Sequence, residues 1–312
     1  MQVKKANWFI LAVVLLPLLY QVVMYLVPVK LPLWLQLMMG ELLILVCILG
    51  YCLFSRIPLW KTIPHKRLHL STICLIVLFT WLVSPLITVV NLLSQFLVSN
   101  TAAETMDVVK GMPLPLLLFI MAVMPALIEE IGFRGILLQN YRESGVWRGI
   151  LLSALLFGLM HMNLNQMMYA AVLGILMALL IEATNSIFSS MLMHLLINGS
   201  NVLLVYQEFQ NTTAPAAELY ESSLEQLGIS FQALLVIMIL VYGFFAVIGV
   251  ALAIPVYRGI ASTSGRKGYI SALFKGNVRP YETRKIISLP LILAIVCSVI
   301  YIIADTVLQQ ML

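Results

Sequence analysis

The chain has 312 residues, of which 62% are hydrophobic and only 10% are charged. A soluble domain carries roughly 25% charged residues, so the composition excludes a soluble globular protein. The formal charge of +5 does not indicate nucleic-acid binding, because Lys and Arg cluster between apolar runs and no basic stripe with interleaved aromatic residues occurs. The composition predicts an all-α, polytopic integral membrane protein.

Apolar runs of about 20 residues, the length that crosses a bilayer, follow one another along the chain. The predicted spans are roughly 7–27, 31–54, 70–97, 113–140, 149–163, 166–183, 186–206, 229–256 and 286–309. The fifth is short, so about nine spans are predicted, with eight as the alternative. The N-terminal run is too long for the core of a signal peptide and is predicted to be a retained first span.

We expect one membrane domain over 1–312, in which 113–206 carries the motifs and 1–98 and 229–312 supply flanking helices. Charge in the loops predicts its orientation. The segment 55–69 carries four Lys or Arg residues and no acid, and 257–285 carries seven against one Glu. Basic loops face the cytoplasm, so a multi-pass protein of the cell membrane with a cytoplasmic N-terminus is predicted. The acidic segment before the eighth span, with four Glu and no Lys or Arg, should face outside.

The fourth span holds two adjacent carboxylates and an arginine in the stretch ALIEEIGFRG, 126–135. A charged residue at the centre of a membrane helix costs roughly 2.5–3.5 kcal/mol on insertion scales, and such residues normally have partners. Glu130 and Arg134 are four residues apart, so they lie on one helix face and can pair. Glu129 is turned by about 100° from Glu130 and is left free for another role.

Two histidines are the other unusual polar residues inside apolar runs. His161 ends FGLMH and shares a face with Phe157, and His194 begins HLLIN and shares a face with Asn198. Counted from the predicted cytoplasmic ends, Glu129, His161 and His194 lie roughly 17, 20 and 14 Å deep at 1.5 Å per residue. The hydrocarbon core is about 30 Å thick, so three helices bring polar groups to a similar depth, which indicates one shared site.

Other polar residues in the spans are assigned no chemistry. A single histidine or asparagine in a span is often only a hydrogen-bonding group between helices, and the Glu130–Arg134 pair alone could be structural. No function is assigned to the remaining acids of the spans and their ends, which are Glu41, Glu182 and Asp305. The four cysteines lie inside apolar runs and indicate neither a disulfide framework nor a metal site, so no cofactor is expected.

Together, and in this order, the motifs resemble those of a known family. EEIGFR fits E-E-x-x-x-R, FGLMH fits F-x-x-x-H and HLLIN fits H-x-x-x-N, as in the CAAX protease and bacteriocin-processing (Abi) family of intramembrane glutamate endopeptidases. The resemblance implies that Glu129 is the catalytic carboxylate, that His161 assists the attacking water, and that His194 and Asn198 stabilise the oxyanion. The residues predicted to support this site are Glu130, Arg134 and Phe157.

The resemblance covers roughly residues 113–206 and predicts an endopeptidase in the lipid bilayer whose substrate is a peptide or a membrane protein. A further membrane partner protein is compatible with this prediction, and no nucleic-acid partner is expected. Nothing in the sequence indicates prenylated substrates. Two other classes stay open. Two histidines and a carboxylate could bind a divalent metal in a metalloprotease or transporter, although no H-E-x-x-H occurs. The chain could also be a non-catalytic scaffold that regulates a sensor kinase or confers bacteriocin immunity.

Overall fold

A computed structural model describes residues 2–27, 29–56, 58–98, 109, 111–210, 228–278, 280 and 285–311. These residues form helices joined by short connections, and none of the described segments is a strand. A single isolated bridge pairs His65 with Ser186. The prediction of an all-α, polytopic membrane protein is therefore confirmed.

The helices follow the predicted spans closely. They are α1 (Gln2–Leu26), α2 (Leu33–Ser55), α3 (Leu59–Thr62), α4 (Leu70–Ser94), α5 (Leu114–Ser144), α6 (Val146–Leu159), α7 (Leu164–Thr184), α8 (Ile187–Gln210), α9 (Phe231–Thr263), α10 (Lys267–Phe274) and α11 (Leu289–Met311). Within the described residues, eight of them are long and apolar enough to cross a membrane. The fifth predicted span forms α6, which has only 14 residues, about 21 Å at 1.5 Å per residue. By length the count is eight, the predicted alternative.

Helix α9 extends past its predicted end at residue 256 and reaches Thr263. Hydropathy falls at Tyr257 and Arg258, but the helix continues because its last turns pack on the bundle. Ile260 is fully buried, and the hydroxyl groups of Thr72 and Thr263 are 2.9 Å apart. Tertiary packing of this kind is invisible to a hydropathy pattern. Most of the acidic segment predicted to face outside lies beyond the described residues.

The loops predicted to face the cytoplasm lie together on one side of the bundle. The Ile187 N–H donates to the Pro64 carbonyl oxygen at 2.7 Å, which ties the α7–α8 connection to the segment before α4. Lys66 Nζ donates to the Ser264 carbonyl oxygen at 2.9 Å, which ties the same segment to the end of α9. The two basic segments therefore share a side, and the cytoplasmic orientation of that side stays a prediction.

Glu182 of α7 is fully buried near this side and joins three helical segments. Its Oε2 accepts from Arg142 Nη2 at 2.8 Å and from the Tyr269 hydroxyl at 2.6 Å. Its backbone carbonyl accepts from Arg266 Nε at 2.6 Å. Burial, followed by the nearby Glu182 carboxylate, raises the pKa of Tyr269 to about 12. These contacts explain Glu182 as an anchor of the helix ends, without chemistry.

On the opposite side, amide groups fix the start of α7. Asn165 Nδ2 donates to Asn91 Oδ1 and to Ser94 Oγ, each at 2.7 Å. Asn163 Nδ2 donates to Asp305 Oδ2 at 3.2 Å, so Asp305 also has a structural partner. Helix α7 packs along α6 from this point. The short α6 and the turn that follows it are therefore held against a full-length neighbour.

Candidate active site

Helix α5, which carries both glutamates, departs from regular α geometry on each side of them. The α-helical stretch Met124–Glu130 lies between two π-helical stretches, Phe119–Val123 and Ile131–Leu137. A π turn adds one residue to the helical repeat and often occurs at functional sites. The side chains after Glu130 are therefore turned relative to a regular helix, on which the sequence prediction relied.

Glu130 and Arg134 nevertheless form the ion pair that their spacing predicts. Arg134 Nη1 lies 3.0 Å from Glu130 Oε1, and the two side chains are 1% and 0% exposed. The Arg134 guanidinium carbon also stands 4.0 Å from the centroid of the Phe157 ring. Both the charge and the flat face of the guanidinium thus have partners inside the bundle.

His194 of α8 stands between the two glutamates. Its Nδ1 lies 2.9 Å from Glu130 Oε1, and its Nε2 lies 3.6 Å from Glu129 Oε2. Because the Glu130 carboxylate accepts from Arg134, it also accepts here, and Nδ1 carries the hydrogen. The Nε2 of a neutral His194 ring therefore presents a lone pair towards Glu129. One glutamate holds the histidine, and the other faces its free nitrogen.

His161 lies in the turn that follows α6, where the sequence predicted a position inside a span. Its Nδ1 lies 2.8 Å from the Phe157 carbonyl oxygen, which can only accept, so Nδ1 carries the hydrogen. The Phe157 ring meets the rings of His161 and His194 edge to face, with centroids 5.2 and 6.0 Å apart. The Phe157 ring is thus in contact with both histidine rings.

Asn198 lies one turn after His194 on the same helix but has a different neighbour. Its Nδ2 donates to the carbonyl oxygen of Met121 at 3.1 Å. Met121 belongs to the first π-helical stretch of α5. An amide nitrogen carries two hydrogens, so one donor of Asn198 remains for another acceptor. The residues named by the three motifs are thus brought to one region, and their catalytic roles stay predictions.

Comparison with known proteins gives one match. Residues 111–200 match the family described as type II CAAX prenyl endopeptidase Rce1-like. The match confirms the resemblance over the region that carries the motifs, and it supports a membrane protease as the class of protein. No curated protein and no solved structure matches the chain.

The structure adds a glutamate that lies outside the segment matched by this family. Glu41 of α2 is close enough to Glu129 for their carboxyl groups to interact. Tyr169 of α7 is also close enough to Glu129 for their charges to interact. The sequence prediction assigned no chemistry to Glu41. Its depth was the available signal, since it precedes the end of α2 at Ser55 by 14 residues, roughly 21 Å.

Metal-binding clusters and a cavity elsewhere in the bundle were compared with the positions of the motif residues. Among the residues that the structure describes, no three His, Cys, Asp or Glu side chains are grouped so that they could hold a metal ion. A cavity of about 730 Å³ lies between α4, α7, α9 and α10, and none of the motif residues lines it. The motif residues and this cavity are therefore separate features of the described structure.

Proposed function

We propose that the chain is an intramembrane endopeptidase in which Glu129 activates a water molecule for attack on a peptide carbonyl group. The observation that supports this most is the unequal environment of the two glutamates. Glu130 is bound by Arg134 and His194 at 3.0 and 2.9 Å, whereas Glu129 has no cation of its own among the described residues. A general base needs a carboxylate whose lone pairs are free for the water.

The hydrogen positions on the histidines support the same assignment. Both Nδ1 atoms are committed, His161 to the Phe157 carbonyl and His194 to Glu130. Each neutral ring therefore offers Nε2 as an acceptor, which can receive a hydrogen bond from the attacking water. His161 would orient the water, and Glu129 would take its proton.

The reaction then needs two further steps, and the atoms balance without a cofactor. The water oxygen bonds to the carbonyl carbon, and the proton passes to Glu129. The C–N bond breaks, and the same proton moves to the departing amine, so that one new carboxyl group and one new amine leave the site. A neutral His194 has no free N–H, so it donates to the oxyanion only when Nε2 is also protonated, and the Glu130 carboxylate beside it would then balance the charge.

Asn198 is the neutral donor in this proposal. Its first amide hydrogen is fixed by the Met121 carbonyl at 3.1 Å, which orients the second. Removing one oxyanion donor commonly lowers the rate by about 10²–10³. The substrate is a peptide or membrane protein. Prenylation is named in the description of the matching family, and no residue of this site indicates a prenyl group.

The decisive experiment compares Glu129→Gln with wild type in reconstituted proteoliposomes. The substitution keeps the shape of the side chain and removes the base. We expect peptides released from total membrane proteins, identified by mass spectrometry, to disappear with the variant while thermal unfolding stays unchanged. Gln21→Leu serves as the control, because it removes from α1 a polar group whose one hydrogen bond among the described residues is accepted from the Tyr301 hydroxyl.

Three results would contradict the proposal, each in a different way. Equal cleavage by Glu129→Gln and wild type would remove Glu129 as the base. A cleavage that requires one specific metal, bound stoichiometrically and lost in His161→Ala and His194→Ala, would establish the metal alternative. Full cellular function of the Glu129→Gln protein would establish the non-catalytic scaffold.

A further inference from the structure

The cavity between α4, α7, α9 and α10 is apolar along most of its length and basic at one end. Its volume is about 730 Å³, and Leu86 of α4 and Val250 of α9 are among the apolar residues that line it. The basic end carries three cations, which are Arg258 of α9 and, at the two ends of α10, Lys267 and Lys275. No acidic side chain is among the described residues that line the cavity.

The length of the cavity matches one leaflet of a bilayer. Its lining on α9 runs from Val250 to Ala261, which is roughly 17 Å at 1.5 Å per residue. The hydrocarbon core of a bilayer is about 30 Å thick, so the lining covers about half of it. A spanning helix of a partner protein would need a groove along the whole core, whereas an acyl chain of one leaflet needs only this length.

The cavity is open at the surface of the bundle that faces lipid. Ile254 and Phe274 line it and are 50% and 56% exposed, whereas Ala253 and Tyr257 form part of its buried wall. The Tyr257 hydroxyl donates to the Leu179 carbonyl oxygen at 2.8 Å, so its hydrogen is already bound within the bundle. An acyl chain that enters from the surrounding leaflet therefore meets an apolar wall.

The three cations at the basic end have no partner of opposite charge among the described residues. None of the ion pairs in the described part of the chain includes Arg258, Lys267 or Lys275. Glu182, the buried acid of α7, is bound by Arg142 at 2.8 Å instead. Basic pockets between spanning helices bind anionic lipid head groups, and the cytoplasmic leaflet, which this side is predicted to face, carries anionic lipids.

We propose that this cavity is a binding site for an anionic phospholipid. One acyl chain lies between α4, α7 and α9, and the phosphate lies at Arg258, Lys267 and Lys275, where it supplies the negative charge that the lining lacks. Helix α10 packs on the bundle through the buried Ile270 and Leu273, so the bound lipid joins this short helix to α9. The site is separate from the motif residues and does not depend on peptidase activity.

The test measures lipid binding to the full chain in a non-ionic detergent by native mass spectrometry. Dioleoyl phosphatidylglycerol and dioleoyl phosphatidylcholine carry the same acyl chains, but only the first has a net negative charge. A Lys or Arg beside an anionic lipid contributes about fivefold in affinity. Wild type should therefore prefer phosphatidylglycerol by about 10²-fold, and the double variant Lys267→Gln with Lys275→Gln by about fivefold. Lys285→Gln is the matched control, because Lys285 belongs to the same basic segment but does not line the cavity.

A second pair of variants tests the apolar part of the site. Val250→Phe fills the space of about two methylene groups of the acyl chain, so it should weaken the binding of both lipids by about tenfold. Val247→Phe is its control, because Val247 is 73% exposed and does not line the cavity. Glycerol phosphate, which carries the charge without the chains, should not displace the lipid.

Four results would overturn the proposal. They are equal affinity of wild type for the two lipids, a full preference kept by the double lysine variant, unchanged binding by Val250→Phe, and displacement by glycerol phosphate, which would make this a site for a free phosphate. A control variant that loses binding as its partner does would overturn it as well, because the effect would then not be specific to the cavity.

Discussion

The buried Glu130–Arg134 pair allows a quantitative test of how the site is held. Both side chains are almost fully buried, so a variant that removes one charge leaves the other without compensation. Breaking a buried pair in this way typically costs about 3–5 kcal/mol. We therefore expect Glu130→Gln to lower the free energy of unfolding by about 3–5 kcal/mol.

The double variant Glu130→Gln with Arg134→Met should recover most of this loss. It removes the uncompensated guanidinium, and the Gln amide oxygen can still accept from His194 Nδ1, which lies 2.9 Å from the present carboxylate. The contact between Arg134 and the Phe157 ring at 4.0 Å is lost as well. Such cation–π contacts are worth about 0.5–2 kcal/mol, so recovery should be incomplete.

The measurement is reversible unfolding in mixed micelles of increasing sodium dodecyl sulfate content, followed by helical circular dichroism. Wild type, both single variants and the double variant form a complete cycle. The reasoning would be refuted by a double variant whose loss equals the sum of the two single losses, because the charges would then not compensate each other. Glu129→Gln is the matched control, since it makes the same chemical change one residue away, at a side chain that no cation pairs with among the described residues.

Two further predictions concern the packing of the short helix and the orientation of the chain. Gly158→Ala should destabilise the protein by about 1–3 kcal/mol and slow cleavage. A Cβ atom there would lie 2.6 Å from the Met167 carbonyl oxygen of α7 and would push α6 away. The control is Gly243→Ala, whose added Cβ atom would have no neighbour within 4 Å, so it should be neutral in the same unfolding assay. Single cysteines at Lys66 and Lys275, in a chain freed of its own cysteines, should resist an impermeant thiol reagent in intact cells, whereas one at Glu218 should react, and the reverse labelling would invert the predicted orientation.

Much of this arrangement could be predicted because a membrane-spanning helix needs a long apolar run and its charged residues need partners. Apolar length gives the spans, and the spacing of Glu130 and Arg134 gives their pairing. A common depth also predicts that Glu129, His161 and His194 lie together. These inferences need only the rise and repeat of a helix, and the cost of charge in a bilayer ensures that polar groups find one another.

The departures arise where the helices are irregular or where partners come from distant segments. The sequence gives no sign that α5 contains π-helical stretches, nor that α6 ends before His161 and leaves it in a turn. Neither departure disperses the site, because the contacts that hold it lie across helices. Phe157 meets both histidine rings, and such contacts tolerate a change of helical repeat in one partner.

Glu41 shows what the motifs alone leave out. The three motifs lie on other helices, although Glu41 of α2, roughly 21 Å from the end of its helix, lies at a depth similar to the roughly 14–20 Å predicted for Glu129, His161 and His194. An acid at the midplane is costly wherever it occurs, so its partner should be sought at the same depth on every helix, including those without a motif. In this chain, Glu41 is close enough to Glu129 for their carboxyl groups to interact.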